Sequence, residues 1–169
     1  MQTIWITGGS SGIGFATAKE FINNNWQVVI SSSNKIKLES AKKKLELNNN
    51  KNLVHAIVCD ISSKNNVDET INSIEKNIGK IDIALLNASA YSPNKNQIFD
   101  ISNYELLVDV NIKGTLYCVN KLKDVMKNRN NTIAIISSPL GYRGWPTAGA
   151  YGISTVSYTH LRAHETQQH

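Results

Sequence analysis

Short, nearly unbroken apolar runs alternate along this chain with longer stretches in which apolar residues recur at helical spacing. The runs are TIWIT (3–7), QVVIS (27–31), LVHAIV (53–58), IDIALL (81–86) and TIAIIS (132–137). Each is bounded by turn residues and lacks the polar alternation of a half-solvated strand, which predicts strands covered on both faces. Between them, Val67, Ile71, Ile74 and Ile78 fall at i, i+4, i+7 and i+11, and Leu38, Ala41 and Leu45 give a shorter stripe. Leu107, Val110, Gly114, Tyr117, Leu122 and Val125 mark one face of a long helix from about 102 to 127, and Ile13, Ala16 and Phe21 open the first helix. A further helix begins near Tyr151. The order β-α-β-α-β-α-β-α-β predicts an α/β fold, a Rossmann-like doubly wound parallel sheet with helices on both faces. Ligands of such sheets bind beyond the carboxyl ends of the strands.

Composition narrows the class. A chain of 169 residues with 41% hydrophobic content supports one domain with a real core. The net charge of +5 comes from lysines spread over helical faces such as KIKLESAKKKLE, without interleaved aromatics, so a solvated basic surface is expected and not a nucleic-acid site. Cys59 and Cys118, each within an apolar run, suggest no disulfide framework. The opening MQTIWITGG reaches glycine too early for a signal segment, and no apolar run approaches the length of a membrane span, so a soluble, cytoplasmic protein is expected.

TGGSSGIG, from Thr7 to Gly14, joins the first strand to the first helix. Glycines there permit a tight turn and close approach of backbone to a pyrophosphate, while the helix N-terminus supplies free N–H groups and the positive end of its dipole. On the second strand, SSSNKIK (31–37) holds no acid to bind a ribose 2′-hydroxyl. Ser32, Ser33 and Ser11 offer hydroxyls and Lys35 or Lys37 positive charge, so NADP(H) is expected over NAD(H).

With the glycine turn, four further motifs in order resemble the classical short-chain dehydrogenase/reductase family over residues 3–154. These are Asp60 in VCDIS, the triplet Asn87, Ala88 and Ser89 where the family has N-A-G, Asn111 in DVNIKG, and ISSPLGYRGWPTAGAY with Ser138 and Tyr151. The resemblance implies a cofactor site made of Gly8, Ser10, Ser11, Gly12, Ile13, Gly14, Ser32, Ser33, Asp60, Ile61, Asn87, Ala88 and Tyr151, and a catalytic set of Asn111, Ser138 and Tyr151, with no metal. It implies hydride transfer between nicotinamide and a small carbonyl or alcohol substrate: the tyrosine exchanges a proton with the substrate oxygen, the serine orients that oxygen, and the asparagine holds a water of the proton relay. Full-length members pair as homodimers or homotetramers through the long helix and the catalytic helix. A turn of the form T-G-x-x-x-G-x-G argues against the sugar epimerases of the extended family. Taken singly, Asp60 suits a turn and Asn111 an ordinary polar helix position.

The pattern breaks at Thr155. An unperturbed phenol is ionised only to roughly one part in a thousand at pH 7, and the family corrects this with a lysine one helical turn after the tyrosine, which here is Thr155. Two readings follow: a reductase whose lysine is missing from this sequence, or a non-catalytic dinucleotide-binding or sensing protein. His160 and His164 are spaced like zinc ligands, but the companion glutamate and a third ligand are missing. Val156 to Thr166 reproduces, residue for residue, one reading frame of a transposon-end sequencing adapter, and only the first base of the Thr155 codon lies outside that match. Residues 1–155 are therefore expected to be the N-terminal portion of a dinucleotide-binding domain and 156–169 a non-native tail. Such a fragment would be inactive, and its fifth strand would be an unprotected, aggregation-prone edge.

Overall fold

The computed structural model describes residues 1–47, 51–91, 100–143 and 148–165. Five parallel strands form one sheet in the order β3-β2-β1-β4-β5, with β1 Thr3–Thr7, β2 Gln27–Ser32, β3 Val54–Val58, β4 Ile81–Leu86 and β5 Thr132–Ile135. The helices are α1 Gly12–Asn23, α2 Lys35–Glu46, α3 Lys64–Asn77, α4 Ile101–Leu107, α5 Thr115–Met126 and α6 Gly149–Glu165. A doubly wound sheet is thus confirmed. Leu53 ends a 3-10 turn instead of opening β3, and β5 stops at Ile135, although Ile136 still donates its N–H to Leu86 O (3.0 Å).

Alternation along β1 divides the core. Ile4 and Ile6 join the cluster under α1 and α2, while Trp5, on the opposite face, joins the cluster under α3 and α5. Trp5 is wholly buried, and its indole N–H is satisfied by Ser31 Oγ at 3.1 Å. The stripes of α2 and α3 point inward as expected: Leu38, Ala41, Leu45, Val67, Ile71 and Ile74 are buried. Asn34 and Ser63 start these helices by accepting from Lys37 N and Asn66 N.

Two stripes depart from expectation. On α1 the buried face is Gly14, Ala18 and Ile22, while Ile13 is 60% exposed. Gly14 is inside because close backbone packing leaves no room for a side chain, a burial that hydrophobicity cannot signal. In the long helix, α4 and α5 are joined by one π-helical stretch, Val108–Gly114. It turns Asn111 and Cys118 inward and leaves Val110, Tyr117 and Val125 at the flank of the core.

His55 on β3 pairs through its Nε2 with Gln27 Nε2 (3.1 Å), and burial, then the charge of Lys42, lowers its pKa. A base with a lowered folded pKa binds fewer protons in the native than in the unfolded state. Its stabilising contribution is therefore complete above the unfolded value near 6.5 and is lost as pH falls through the folded one. The urea midpoint is expected to drop between pH 7.5 and pH 5.5, and His55→Gln to flatten that drop; an unchanged pH slope in the variant would rule His55 out as its source.

Candidate active site

Sheet order reverses beside β1, which pairs with β2 on one side and β4 on the other. At the carboxyl ends of these strands lies a cleft of about 570 Å³. Gly8, Ser10, Ser11, Gly12 and Ile13 form one wall; Ser32, Ser33, Asn34 and Lys37 form the second, Cys59, Asp60 and Ile61 the third. Asn87 to Ala90 close it on the β4 side, with Leu106 and Val110 of the long helix at its edge.

The cleft is shaped by one clip between β1 and β4. Thr7 Oγ1 accepts from Asn87 N (2.9 Å) and Ala88 N (3.0 Å), and the Asn87 amide donates back to Thr7 O (3.1 Å) and Gly8 O (3.2 Å). Gly8 has φ +64°, and a Cβ there would lie 2.8 Å from Ala88 Cα. Gly14 lies behind the turn: its Cβ would be 2.7 Å from both Asn87 Nδ2 and Gly8 O. Thr7→Val would leave two N–H groups unpaired and is expected to destabilise the fold by about 1–3 kcal/mol, with Thr7→Ser close to wild type in urea unfolding. Equal stability of the valine variant would remove the clip from the argument.

Of the residues implied for the cofactor, eleven of the thirteen line the cleft: Gly8, Ser10, Ser11, Gly12, Ile13, Ser32, Ser33, Asp60, Ile61, Asn87 and Ala88. Gly14 does not; it underlies the turn. Tyr151 does not either; it is carried by α6. Asp60 also performs the turn role that suits it singly, its Oδ1 accepting from Ser62 N (3.0 Å) and Ser62 Oγ (2.7 Å). Ser89 replaces a glycine without strain: its φ is not positive, and its hydroxyl donates to Ala90 O (3.3 Å). Of the two candidate lysines, Lys37 lines the cleft and Lys35 does not. Asn34, Cys59, Leu106 and Val110 are additional cleft residues; only Asn34, as a helix-capping asparagine at a strand end, carried a local signal. Burial raises the thiol pKa of Cys59 and Cys118, so both stay protonated.

The three residues implied for catalysis occupy adjoining elements. Ser138 caps the 3-10 turn Pro139–Gly141, its Oγ accepting from Leu140 N (3.3 Å). That turn packs on α6 one helical turn past Tyr151, where a Cβ on Gly141 would sit 3.1 Å from Thr155 O. Tyr151 is half-buried and meets the ring of Tyr91 edge to face, with centroids 5.0 Å apart at 80°. Asn111 is 1% exposed and its side chain is fully engaged. Oδ1 accepts from Ala90 N (2.7 Å), and Nδ2 donates to Ala90 O (3.0 Å) and Ser154 Oγ (3.0 Å). Its carbonyl accepts from Tyr158 Oη (2.7 Å), a phenol whose pKa burial raises, so that it remains a donor. A side-chain hydroxyl therefore sits on the backbone of the residue expected to hold a relay water.

Thr155 is buried, and its Oγ1 donates to the carbonyls of its own helix, Tyr151 O and Gly152 O, each at 3.1 Å. The helix runs through this position without a break as far as Glu165. Among the described residues no helix is long and apolar enough to cross a membrane.

A family model described as short chain dehydrogenase matches residues 2–169, so the chain belongs to the short-chain dehydrogenase family. An uncharacterized oxidoreductase of Staphylococcus saprophyticus is 30% identical over 153 residues, 90% of this chain and 65% of that protein. A similarly described protein of Staphylococcus epidermidis is 29% identical over 153 residues, 90% of this chain and 64% of its own length. The chain thus spans just under two thirds of these relatives. A short chain dehydrogenase from Bacillus anthracis superposes with a TM-score of 0.87 at 21% identity, covering 95% of this chain and 64% of that one. A short-chain dehydrogenase/reductase from Brucella melitensis, titled glucose/ribitol dehydrogenase, does so with 0.86 at 22%, covering 98% and 70%. At these identities the likeness is one of fold.

Proposed function

We propose that this chain is the cofactor-binding portion of an NAD(P)(H)-dependent oxidoreductase that moves a hydride between nicotinamide and a small carbonyl or alcohol substrate, with NADP(H) preferred. The observation that carries the reading is the cleft itself, which bridges the sheet reversal between the glycine turn and a wall made of serines and one lysine. The free N–H groups of the first turn of α1 and the glycine backbone would hold a pyrophosphate. Ser32, Ser33, Ser11 and Lys37 would hold the ribose and its 2′-phosphate, and Asp60 and Ile61 would flank the adenine. The bound nicotinamide supplies hydride chemistry; the chain supplies binding and proton handling. Tyr151 exchanges the proton with the substrate oxygen and Ser138 orients it, while Asn111 braces the loop after β4 through Ala90 and α6 through Ser154.

Thr155 is neutral and its hydroxyl is spent on its own helix, so nothing at that position favours a phenolate. We infer that this chain binds dinucleotide with little turnover. On the preferred reading, residues 156–169 are not native and the natural protein has a lysine at position 155. That full-length protein would be a cytoplasmic homodimer or homotetramer, joined through the long helix and α6, where Ile101, Leu106, Leu116 and Ile153 are exposed. The competing reading, a non-catalytic dinucleotide sensor, is favoured by the same threonine. A genomic threonine codon followed by this tail in independent sequence reads would decide for the sensor.

Fluorescence titration tests the cofactor reading directly. NADPH is expected to bind about tenfold or more tighter than NADH, the scale of a charge-assisted hydrogen bond. Lys37→Ala should erase most of that ratio and Lys35→Ala little of it. Equal affinities in the wild-type chain would overturn the NADP(H) preference, and no binding of either would overturn the cofactor reading.

A further inference from the structure

Tyr151 is gripped from two sides, and both grips lead back to Asn111. On the backbone side, Asn111 Nδ2 donates to Ser154 Oγ (3.0 Å), which in turn donates to Tyr151 O (2.8 Å). On the side-chain side, the Asn111 amide holds both the N–H (2.7 Å) and the carbonyl (3.0 Å) of Ala90. The next residue, Tyr91, sets its ring edge to face against that of Tyr151, 5.0 Å between centroids. A two-point backbone clamp one residue upstream fixes where the Tyr91 ring begins, so the aromatic contact is directed and not a chance collision of surface side chains. Tyr91 is 61% exposed, so little of its surface is spent on the core. Ala90 lines the dinucleotide cleft, which sets this contact at the boundary between the cofactor site and the phenol.

We propose that Tyr91 is a positioning residue for the Tyr151 phenol: its ring selects one Tyr151 rotamer and holds the hydroxyl beside the nicotinamide end of the cleft. The proposal rests on the reading of Tyr151 as the proton-exchanging residue. The required property is an aromatic face or edge at position 91 and not its hydroxyl, so phenylalanine should serve as well as tyrosine. An aliphatic residue of similar bulk should fill the space without selecting the rotamer.

Nuclear magnetic resonance of the 169-residue chain tests this without turnover. With the Tyr151 signals assigned by their loss in Tyr151→Phe, wild type and Tyr91→Phe are expected to give ring-current-displaced Tyr151 ring protons and α–β couplings of a single rotamer. Tyr91→Leu and Tyr91→Ala are expected to lose the displacement and give couplings averaged over the staggered wells. Their thermal midpoint and NADPH affinity should remain within about twofold in the corresponding constants, because an exposed side chain removes little core. Unchanged Tyr151 couplings in both aliphatic variants would overturn the proposal. So would failure of phenylalanine to restore them, or averaging accompanied by general loss of native signals in both, which would assign Tyr91 a structural role. NADPH titration of the same samples reads the cofactor site separately: a chain that keeps the Tyr91 signature and binds no dinucleotide loses the functional reading and keeps the clamp.

Discussion

Gly14→Ala is expected to abolish measurable NADPH binding while costing the fold about 1–3 kcal/mol, the range for an added methyl in a packed interior. The new Cβ would lie 2.7 Å from Asn87 Nδ2 and 2.7 Å from Gly8 O, with Gly9 Cα at 3.1 Å. Asn87 can give by leaving Thr7 O and Gly8 O, but the Gly8 carbonyl can give only if the glycine turn itself shifts, and the wall of the cleft opens with both. Gly12 provides the contrast. Its φ of +54° strains any side chain, yet a Cβ there meets nothing within 4 Å. Gly12→Ala should therefore cost about 1–2 kcal/mol of backbone strain and keep part of the affinity. Fluorescence titration and urea unfolding measure both; an alanine at position 14 that binds within twofold of wild type would remove the clip as the architect of the site.

Asn111→Leu is expected to have the largest effect on stability. It strips partners from Ala90 N, Ala90 O and Ser154 Oγ at once, in a position 1% exposed to solvent. A buried group left unpaired costs about 1–3 kcal/mol; Ala90 is half-buried at the cleft and Ser154 Oγ keeps Tyr151 O, so a loss of about 3 kcal/mol out of a typical 5–15 is expected. Asn111→Asp separates the parts: a carboxylate still accepts from Ala90 N but cannot donate to Ala90 O or Ser154. Its loss should be intermediate at pH values where it can take a proton and larger where it is ionised. Unfolding free energies of the leucine variant within about 1 kcal/mol of wild type would contradict the brace.

Much of the architecture was legible because a parallel sheet covered on both faces leaves no choice about polarity: all five strands read as continuous apolar runs. The helices were legible where an ordinary stripe met an ordinary core, as with Leu38, Ala41 and Leu45. They were not legible where burial answers to shape. Ile13 is apolar yet faces the cleft, and Gly14 is buried because it has nothing to bury. For the site, the glycine turn and the serines at the end of β2 carried local chemistry of their own, whereas Asp60 stood out only through the family resemblance. Asn111 was found as a residue, but its bracing of Ala90 was not legible, because those partners are backbone groups on a loop 21 positions upstream. Tyr91 gave no signal, since an aromatic residue in a loop has no partner in a one-dimensional pattern.

The π-helical stretch Val108–Gly114 makes the long helix a coupling between two shafts set at different angles. A π turn amounts to one extra residue carried by an α-helix, and each residue of an α-helix advances about 100° around its axis. Deleting one residue from this stretch would repair the hydrogen-bond ladder and strengthen the helix taken alone, yet rotate everything after it by that angle. Leu122 and Met126 would swing out of the core while Leu107 stayed in place. The irregular winding is therefore a phase correction, and a more regular helix would give a less stable protein.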